Sequence, residues 1–275
     1  MIQLNKIYNE NCLDFMKRCS SEGQKIDIII TSPPYGNSSG SRKELDIAVV
    51  AKRHACGCHV RYSDYDDNVS EEEYLDFIKE VFSGFNTILK KDGVILYNFN
   101  YATKSVKNTK MFIDVLNMIN HTEFIISDII VWHKANALPV QAHNKLSRSC
   151  EPVFVISRKD EFHTFKANKK VSCIVKNNAH YGFIPNYIYA KNNDGANDLN
   201  FATFSTDLVL QLLKLYCYSK DCLVYDPFMG TGTTANACIK YGCNYLGTEL
   251  SKAQCEYAEN RLKKTLASVV ATEDW

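Results

Sequence analysis

The stretch Thr31-Ser32-Pro33-Pro34-Tyr35-Gly36 follows a short apolar run, Ile26-Asp27-Ile28-Ile29-Ile30, that is rich in β-branched residues. Such a run is typical of a buried strand, and two consecutive prolines cannot continue a β-ladder or enter a helix interior. The prolines therefore stiffen the chain just beyond the carboxyl end of the strand, where open α/β sheets bind ligands. Each proline keeps a carbonyl acceptor, Ser32 adds a hydroxyl and Tyr35 a flat ring. The stretch thus predicts a rigid group of acceptors suited to a planar ligand that carries an amino group.

A second stretch, Asp226-Pro227-Phe228-Met229-Gly230-Thr231-Gly232-Thr233-Thr234, follows the strand-like run Cys222-Leu223-Val224 and precedes a helical pattern. Glycines permit close approach of the backbone at a strand-to-helix turn, and the first N–H groups of a helix attract an anionic group. About 20 residues further on, a predicted strand ends at Glu249, which is the spacing at which an acidic residue binds ribose hydroxyls in nucleotide-binding α/β folds.

Length and composition limit the class of protein. The chain has 275 residues, enough for one large α/β domain with an inserted subdomain, and its 45% hydrophobic and 23% charged content is ordinary for a soluble globular protein. No apolar run approaches the ~20 residues of a membrane span, and the amino terminus lacks a signal-peptide pattern, so we expect a cytoplasmic protein without membrane contact. The eleven cysteines lack a disulfide-framework spacing and predict reduced, mostly buried thiols. The net charge of +1 means that any nucleic-acid binding depends on local basic patches.

Ser32-Pro33-Pro34-Tyr35 resembles the catalytic motif (Asp/Asn/Ser)-Pro-Pro-(Tyr/Phe/Trp) of DNA amino-methyltransferases, and the stretch 226–234 resembles their S-adenosylmethionine loop, DPFxGxGTT. The catalytic motif precedes the cofactor motif, which resembles the β group of the family, a circular permutation of the common methyltransferase sheet. The resemblance covers nearly all of residues 1–275. It implies a single doubly wound, mostly parallel, Rossmann-like sheet of seven strands, with both motifs at one edge.

The resemblance also implies roles for individual residues. The catalytic residues would be Ser32, Pro33, Pro34 and Tyr35, which would grip a flipped base and accept hydrogen bonds from its amine. The cofactor-binding residues would be Asn11, Thr31, Phe204, Asp226, Pro227, Phe228, Gly230, Gly232, Thr233, Thr234 and Glu249. Within that set, Asp226 and Glu249 would orient the methionine amino group and the ribose, and Thr233 or Thr234 would hold the carboxylate. Asn11 stands where the family usually has an Asp.

Two segments are candidates for contact with DNA. Residues 36–68 begin with a small polar run, carry several basic residues and predict a mobile loop over the site, although an insertion without function is an equal alternative. The resemblance implies that residues 136–200 form an inserted target-recognition region, since basic residues neutralise phosphates and a few polar side chains read base edges. The candidate DNA-binding residues are Arg42, Lys43, Lys134, Arg148, Lys169 and Lys170.

A cluster of potential metal ligands lies inside the first of these segments. His54, Cys56, Cys58 and His59 are close in sequence, but a Cys-x-Cys spacing is unusual for zinc and no second pair lies nearby. We therefore expect a plain loop and no metal.

The target amine is implied by the first residue of the catalytic motif. Ser at that position is associated in the family mostly with cytosine N4, so the resemblance implies a site-specific cytosine-N4 DNA methyltransferase acting on double-stranded DNA, with a cognate restriction endonuclease as a functional partner. Adenine N6 is the alternative within the family. A methyltransferase for RNA or protein glutamine, or a DNA-binding subunit without catalysis, stays open, as does the choice between monomer and homodimer.

Overall fold

The computed structural model describes residues 1–34, 70–100, 106–137, 139, 146–175, 178–194 and 204–273 of the chain. In chain order, the described strands are β1 (Lys6–Tyr8), β2 (Ile26–Thr31), β3 (Leu89–Asn98), β4 (Phe124–Lys134), β5 (Cys150–Arg158), β6 (Val171–Val175), β7 (Asn178–Tyr181), β8 (Tyr187–Ala190), β9 (Leu223–Asp226) and β10 (Asn244–Thr248). The described α-helices are α1 (Cys12–Ser21), α2 (Glu71–Ile88), α3 (Val106–Asn120), α4 (Thr206–Tyr216), α5 (Thr233–Tyr241) and α6 (Lys252–Glu273).

Eight of the strands form one sheet, in the order β1-β10-β9-β2-β3-β5-β4-β8. Every neighbouring pair runs parallel except the two pairs that involve β5. Parallel strands need crossover connections, and here helices supply them on both faces of the sheet. The predicted doubly wound, mostly parallel α/β sheet is therefore confirmed.

The main sheet has one strand more than the seven that the resemblance predicts. The additional strand, β8, pairs in parallel with β4, with Tyr187 opposite Val131. It belongs to the segment 136–200, which also contributes the separate antiparallel β6–β7 ribbon. Without β8, the outer row of backbone N–H and C=O groups of β4 would lack partners, so a short strand added there satisfies them.

Two hydrophobic clusters cover the two faces of the sheet. Helices α1, α2 and α3 pack against one face, with Phe15 and Phe82 fully buried there. Helices α4, α5 and α6 pack against the other face, where Leu212 and Leu262 are buried. The nine described cysteines are free, and seven of them are buried in these clusters, as the sequence predicts for reduced thiols. In the described ranges, no helix combines the length and the apolarity of a membrane span.

Candidate functional site

The two motifs meet at the carboxyl edge of the sheet. Strands β2 and β9 pair in parallel, with Ile29 opposite Tyr225, so the chain leaves the sheet side by side at Thr31 and Asp226. The Thr31 hydroxyl donates a hydrogen bond of 2.9 Å to Asp226 Oδ1, and both side chains are buried. The predicted juxtaposition of the catalytic and cofactor motifs is therefore confirmed.

Asp226 is a buried carboxylate at the centre of this junction. Besides the Thr31 hydroxyl, it accepts hydrogen bonds from the backbone N–H of Phe228 at 3.0 Å and from the Thr234 hydroxyl at 2.6 Å. Burial raises the pKa of Asp226 to about 6, and the three hydrogen bonds oppose that rise because they favour the ionised form. The negative charge of Glu249 raises the pKa further. The carboxylate is thus held in one orientation and titrates within reach of neutral pH.

The turn between β9 and α5 has the backbone conformation that only glycine adopts easily. Gly230 and Gly232 have φ values of 54° and 82°, in the left-handed region. A Cβ on Gly232 would lie 2.9 Å from the Cβ of Ala258 in α6, so the turn also needs the space that glycine leaves. This close packing brings the glycine turn, residues 229–232, against the helix that follows β10.

Glu249 lies directly over the glycine turn. Its carboxylate accepts hydrogen bonds from the N–H groups of Gly230, at 2.9 Å, and Ser251, at 2.8 Å. In the same turn, the Thr231 hydroxyl is buried and has no hydrogen-bond partner among the described residues. Buried polar groups are nearly always satisfied, so this orphan oxygen fits a site whose remaining partner is a polar ligand.

The two threonines at the start of α5 have different partners. The Thr234 hydroxyl donates to Asp226, so its hydrogen is not available for a cofactor carboxylate. Thr233 Oγ1 instead accepts a hydrogen bond of 3.2 Å from Arg261 Nη1, and its own hydrogen has no acceptor in the described contacts. Of the two predicted alternatives, the geometry favours Thr233.

A side-chain network that sequence patterns do not mark surrounds this turn. Arg261, in α6, also donates to the carbonyl of Thr231 at 3.2 Å and forms an ion pair with Asp194. Asp194 in turn accepts from the N–H of Thr206, at the start of α4. Neither Arg261 nor Asp194 belongs to a local motif, and only the packing of α6 against the glycine turn brings them together.

The catalytic corner, residues 32–34, emerges next to this site from the end of β2. Ser32 and Pro34 are half-buried and Pro33 is buried. The hydroxyl of Tyr74, a fully buried side chain in the first turn of α2, donates a hydrogen bond of 2.7 Å to the Pro34 carbonyl. A reciprocal capping box between Ser70 and Glu73 fixes the start of that helix. Tyr35 lies outside the described residues.

The chain matches the DNA methylase family model N6_N4_Mtase over residues 26–260. It belongs to this family of DNA methylases. Family membership makes the protein a DNA methyltransferase that uses S-adenosylmethionine, as the two motifs predict.

Relatives agree with this assignment. The Type II methyltransferase M2.MboI of Moraxella bovis is 25% identical, over 93% of this methylase and 86% of the relative. M.XycI of Xanthomonas campestris pv. cyanopsidis is 27% identical, over 96% of this methylase and 89% of the relative. The match to M.Cfr9I of Citrobacter freundii, 28% identical, covers 54% of this methylase and 47% of the relative, so it spans about half the length of that protein.

Solved structures show the same fold. The M1.HpyAVI–SAM complex has a TM-score of 0.61 at 20% identity and covers 94% of this methylase and 98% of that chain. The PvuII DNA methyltransferase, named cytosine-N4-specific, has a TM-score of 0.60 at 16% identity and covers 96% and 92% of the two chains. The Rossmann-like methyltransferase fold is therefore confirmed.

Of the four other predicted cofactor residues, Asn11, Pro227 and Phe228 lie at the same sheet edge as the glycine turn. Asn11 Oδ1 caps α1 by accepting from the N–H of Leu13 at 2.8 Å, which leaves one lone pair for a ligand. The Pro227 carbonyl accepts from the Thr248 hydroxyl at 2.9 Å, and Phe228 is half-buried. Phe204 is also half-buried and packs against the cluster on the α4 side of the sheet. Their contacts with a cofactor stay predictions.

The predicted contact of Lys134 with DNA stays a prediction, and the structure gives this lysine a carboxylate partner. Lys134 forms an ion pair with Glu151, and the two side chains are only 12% and 13% exposed. Glu151 also accepts a hydrogen bond of 2.8 Å from Asn100, and the Lys134 ammonium lies 4.9 Å from the Trp132 ring centroid. A paired lysine buried to this extent cannot present its charge to a phosphate without breaking the pair, at a cost of several kcal/mol, about 3–5.

The remaining DNA candidates have different surroundings. Lys169 and Lys170 are exposed immediately before β6, and Arg148 is half-buried. Arg42 and Lys43 lie outside the described residues, as does the cluster of His54, Cys56, Cys58 and His59. Within the ranges that the structure describes, no group of three or more His, Cys, Asp or Glu side chains could hold a metal ion.

Proposed function

We propose that this DNA methyltransferase methylates the exocyclic N4 amine of a cytosine flipped out of a specific double-stranded DNA site, as the modification enzyme of a restriction-modification system. The observation that carries the proposal is the 2.9 Å bond between Thr31 and Asp226, which sets the catalytic corner beside the cofactor motif. Ser32, at the first position of the catalytic motif, supports cytosine as the target.

The catalytic corner supplies the groups that orient the amine. An exocyclic amine is out of reach inside a duplex, so the base is extruded into the site. The Ser32 hydroxyl and the Pro33 carbonyl accept hydrogen bonds from the amine hydrogens, and Tyr35 stacks on the ring. These contacts localise the nitrogen lone pair, which is otherwise delocalised into the ring. Rate enhancement comes from positioning and electrostatics, with no covalent enzyme intermediate.

The cofactor motif supplies the opposite wall. S-adenosylmethionine, when bound, provides an electrophilic methyl group on a sulfonium. Asp226 orients the cationic amino group, Glu249 accepts from the ribose hydroxyls, and the glycine turn admits the backbone close to the ligand. To bind the ribose, Glu249 exchanges at least part of its present contact with the N–H groups of Gly230 and Ser251.

The experiment is incubation of the full chain with S-adenosylmethionine and unmodified DNA, followed by digestion to nucleosides and mass spectrometry. N4-methylcytosine is the expected product, and Ser32→Ala should reduce its yield without loss of cofactor binding. N6-methyladenine would move the assignment to the adenine branch of the family. DNA binding without any methylated nucleoside would identify a catalytically inactive subunit and overturn the proposal.

A further inference from the structure

The charges around the glycine turn are unbalanced. Three carboxylates lie on or beside it: Asp226 at the end of β9, Glu249 over the Gly230 N–H, and Asp194, which accepts from the N–H of Thr206 at the start of α4. Among the described residues, Arg261 is the cation that contacts the turn. This charge distribution favours one orientation of a ligand that carries both groups: its cationic amino group lies near the carboxylates, and its own carboxylate lies near Arg261.

Arg261 bridges the turn and its surroundings with both terminal nitrogens. Nη1 donates to the Thr231 carbonyl and to Thr233 Oγ1, each at 3.2 Å. Nη2 donates to Thr206 Oγ1 at 3.2 Å and to the Asp194 carboxylate. The planar guanidinium thus fixes the backbone of the turn and the hydroxyl at the start of α5 in one arrangement.

The hydroxyl donors that this arrangement leaves unused belong to Thr231 and Thr233, two residues apart in the chain. Thr233 accepts from Arg261, so its own hydroxyl hydrogen stays available. The Thr231 hydroxyl, 1% exposed, has no partner among the described residues. Thr231 precedes the N-cap residue of α5 and Thr233 is the first residue of that helix, which has nine residues and whose amino terminus favours an anion. The buried orphan hydroxyl is independent evidence that this end of the turn receives a polar ligand group.

We propose that Arg261 is a positioning residue for the carboxylate of the cofactor's amino-acid group. It holds Thr231 and Thr233 so that their hydroxyls and the α5 amino terminus bind that carboxylate, and its charge offsets the repulsion from Asp194. Asp226, which contacts Thr234 rather than Thr233, then faces the cationic amino group. This inference rests on the proposed placement of the cofactor and adds the residue that sets its orientation.

The test compares two ligands that differ in the carboxylate alone, S-adenosylmethionine and decarboxylated S-adenosylmethionine, by calorimetric titration of the full chain. We expect Arg261→Met to weaken binding of S-adenosylmethionine by about tenfold or more, the order expected for lost charge-assisted hydrogen bonds, and to leave the decarboxylated ligand within about twofold. Thr233→Val, which is nearly isosteric, should show the same selective loss. It replaces Arg261→Met in the test if that variant does not fold.

Arg158 provides a matched control. Like Arg261, it donates to the backbone and pairs with a carboxylate: its guanidinium donates to the carbonyls of Asn86, Leu89 and Lys90 and pairs with Glu161. It lies at the end of β5, away from the glycine turn. Arg158→Lys should leave unchanged the factor by which S-adenosylmethionine binds more tightly than its decarboxylated form. Arg261→Lys should lower that factor. Equal weakening of both ligands by the Arg261 variants would show a purely structural role and overturn the inference. Failure of the unmodified protein to bind S-adenosylmethionine at all would instead overturn the proposed cofactor site.

Discussion

Thr31 and Asp226 lie 195 positions apart in the chain, and a hydrogen bond of 2.9 Å joins their buried side chains. The bond exists because β2 and β9 are parallel neighbours in the sheet, so their carboxyl ends reach the same edge. It links the residue before the catalytic corner to the first residue of the cofactor motif. A change at either residue should therefore affect both halves of the site.

Thr31→Val tests the contribution of this bond to stability. The substitution keeps the shape of the side chain and removes a donor from a buried carboxylate, so we expect the free energy of unfolding to fall by about 1.5–3 kcal/mol at neutral pH. Urea denaturation measures the change. Thr87→Val removes an exposed hydroxyl that donates to the Gly84 carbonyl, and should cost no more than about 0.5 kcal/mol. Equal stability of Thr31→Val and the unmodified protein would contradict a stabilising bond.

The raised pKa of Asp226 predicts that cofactor affinity depends on pH. Its folded pKa of about 6 lies above the ordinary value of 3.8, so the ionisation of Asp226 removes folding stability as the pH rises through this interval. A cationic ligand group favours the ionised form, so its binding must displace a proton below the folded pKa. We expect the Kd for S-adenosylmethionine to rise by up to about tenfold for each pH unit below 6 and to level off above it.

Calorimetry between about pH 5 and about pH 8 measures this dependence. Asp226→Asn removes the titrating group. The variant should therefore bind S-adenosylmethionine more weakly at neutral pH, and its Kd should not change with pH near 6. A transition that persists in Asp226→Asn would assign the titration to another group.

Gly232→Ala tests the fit of the glycine turn against α6. Gly232 and Gly23 both have positive φ values, 82° and 70°, so alanine at either position costs about 1 kcal/mol for the left-handed backbone. Only at Gly232 does the new Cβ meet a buried neighbour, Ala258, at 2.9 Å, whereas nothing lies within 4 Å at Gly23. We expect Gly232→Ala to lose a further 1–3 kcal/mol or so relative to Gly23→Ala, measured by urea denaturation. Equal losses would mean that α6 moves aside without cost.

The sequence was informative where residues close in the chain act together. The prolines of the catalytic corner, the glycine turn and the spacing to Glu249 each constrain a local backbone, and the structure brings all three to one sheet edge. Arg261, Asp194 and Tyr74 could not be found in this way, because their partners are 12 to 67 positions away and depend on helix packing.

Two further features of the structure could not be predicted from sequence motifs: the ion pair of Lys134 and the edge strand β8. Lys134 carries the same charge as a phosphate-binding lysine, and only the fold reveals Glu151 beside it. The edge strand β8 is four residues long, too short for its alternation to distinguish it from a loop.

Lys169 and Lys170, exposed before the β6–β7 ribbon, test the proposed DNA-binding surface. If both contact phosphates, the double variant Lys169→Ala/Lys170→Ala should weaken DNA binding and reduce the slope of log affinity against log salt by about 1–2. Lys263 and Lys264 are an equally exposed pair on α6 and supply the control, since their replacement should leave the slope unchanged. Fluorescence anisotropy over a salt series measures both slopes. A common slope for the two double variants would exclude phosphate contacts by Lys169 and Lys170.

Tyr74→Phe tests how the catalytic corner is held. Pro33 and Pro34 have no N–H groups, so hydrogen bonds can hold their backbone only through the carbonyls, and the Tyr74 hydroxyl donates to the Pro34 carbonyl at 2.7 Å. Loss of this bond lets the neighbouring Pro33 carbonyl shift from the amine, so we expect the single-turnover methyl-transfer rate to fall by about tenfold. The Kd for S-adenosylmethionine should stay within about twofold, because the cofactor motif is untouched.

Tyr241→Phe is the matched control for this variant. The Tyr241 hydroxyl also donates to a backbone carbonyl, that of Cys217 at 3.3 Å, but it lies between the carboxyl ends of α5 and α4, away from the motifs. Its loss should leave the transfer rate unchanged. If Tyr74→Phe transfers methyl groups as fast as Tyr241→Phe, the Pro34 carbonyl is held well enough by the packing of the corner alone, and the hydroxyl has no part in positioning the amine.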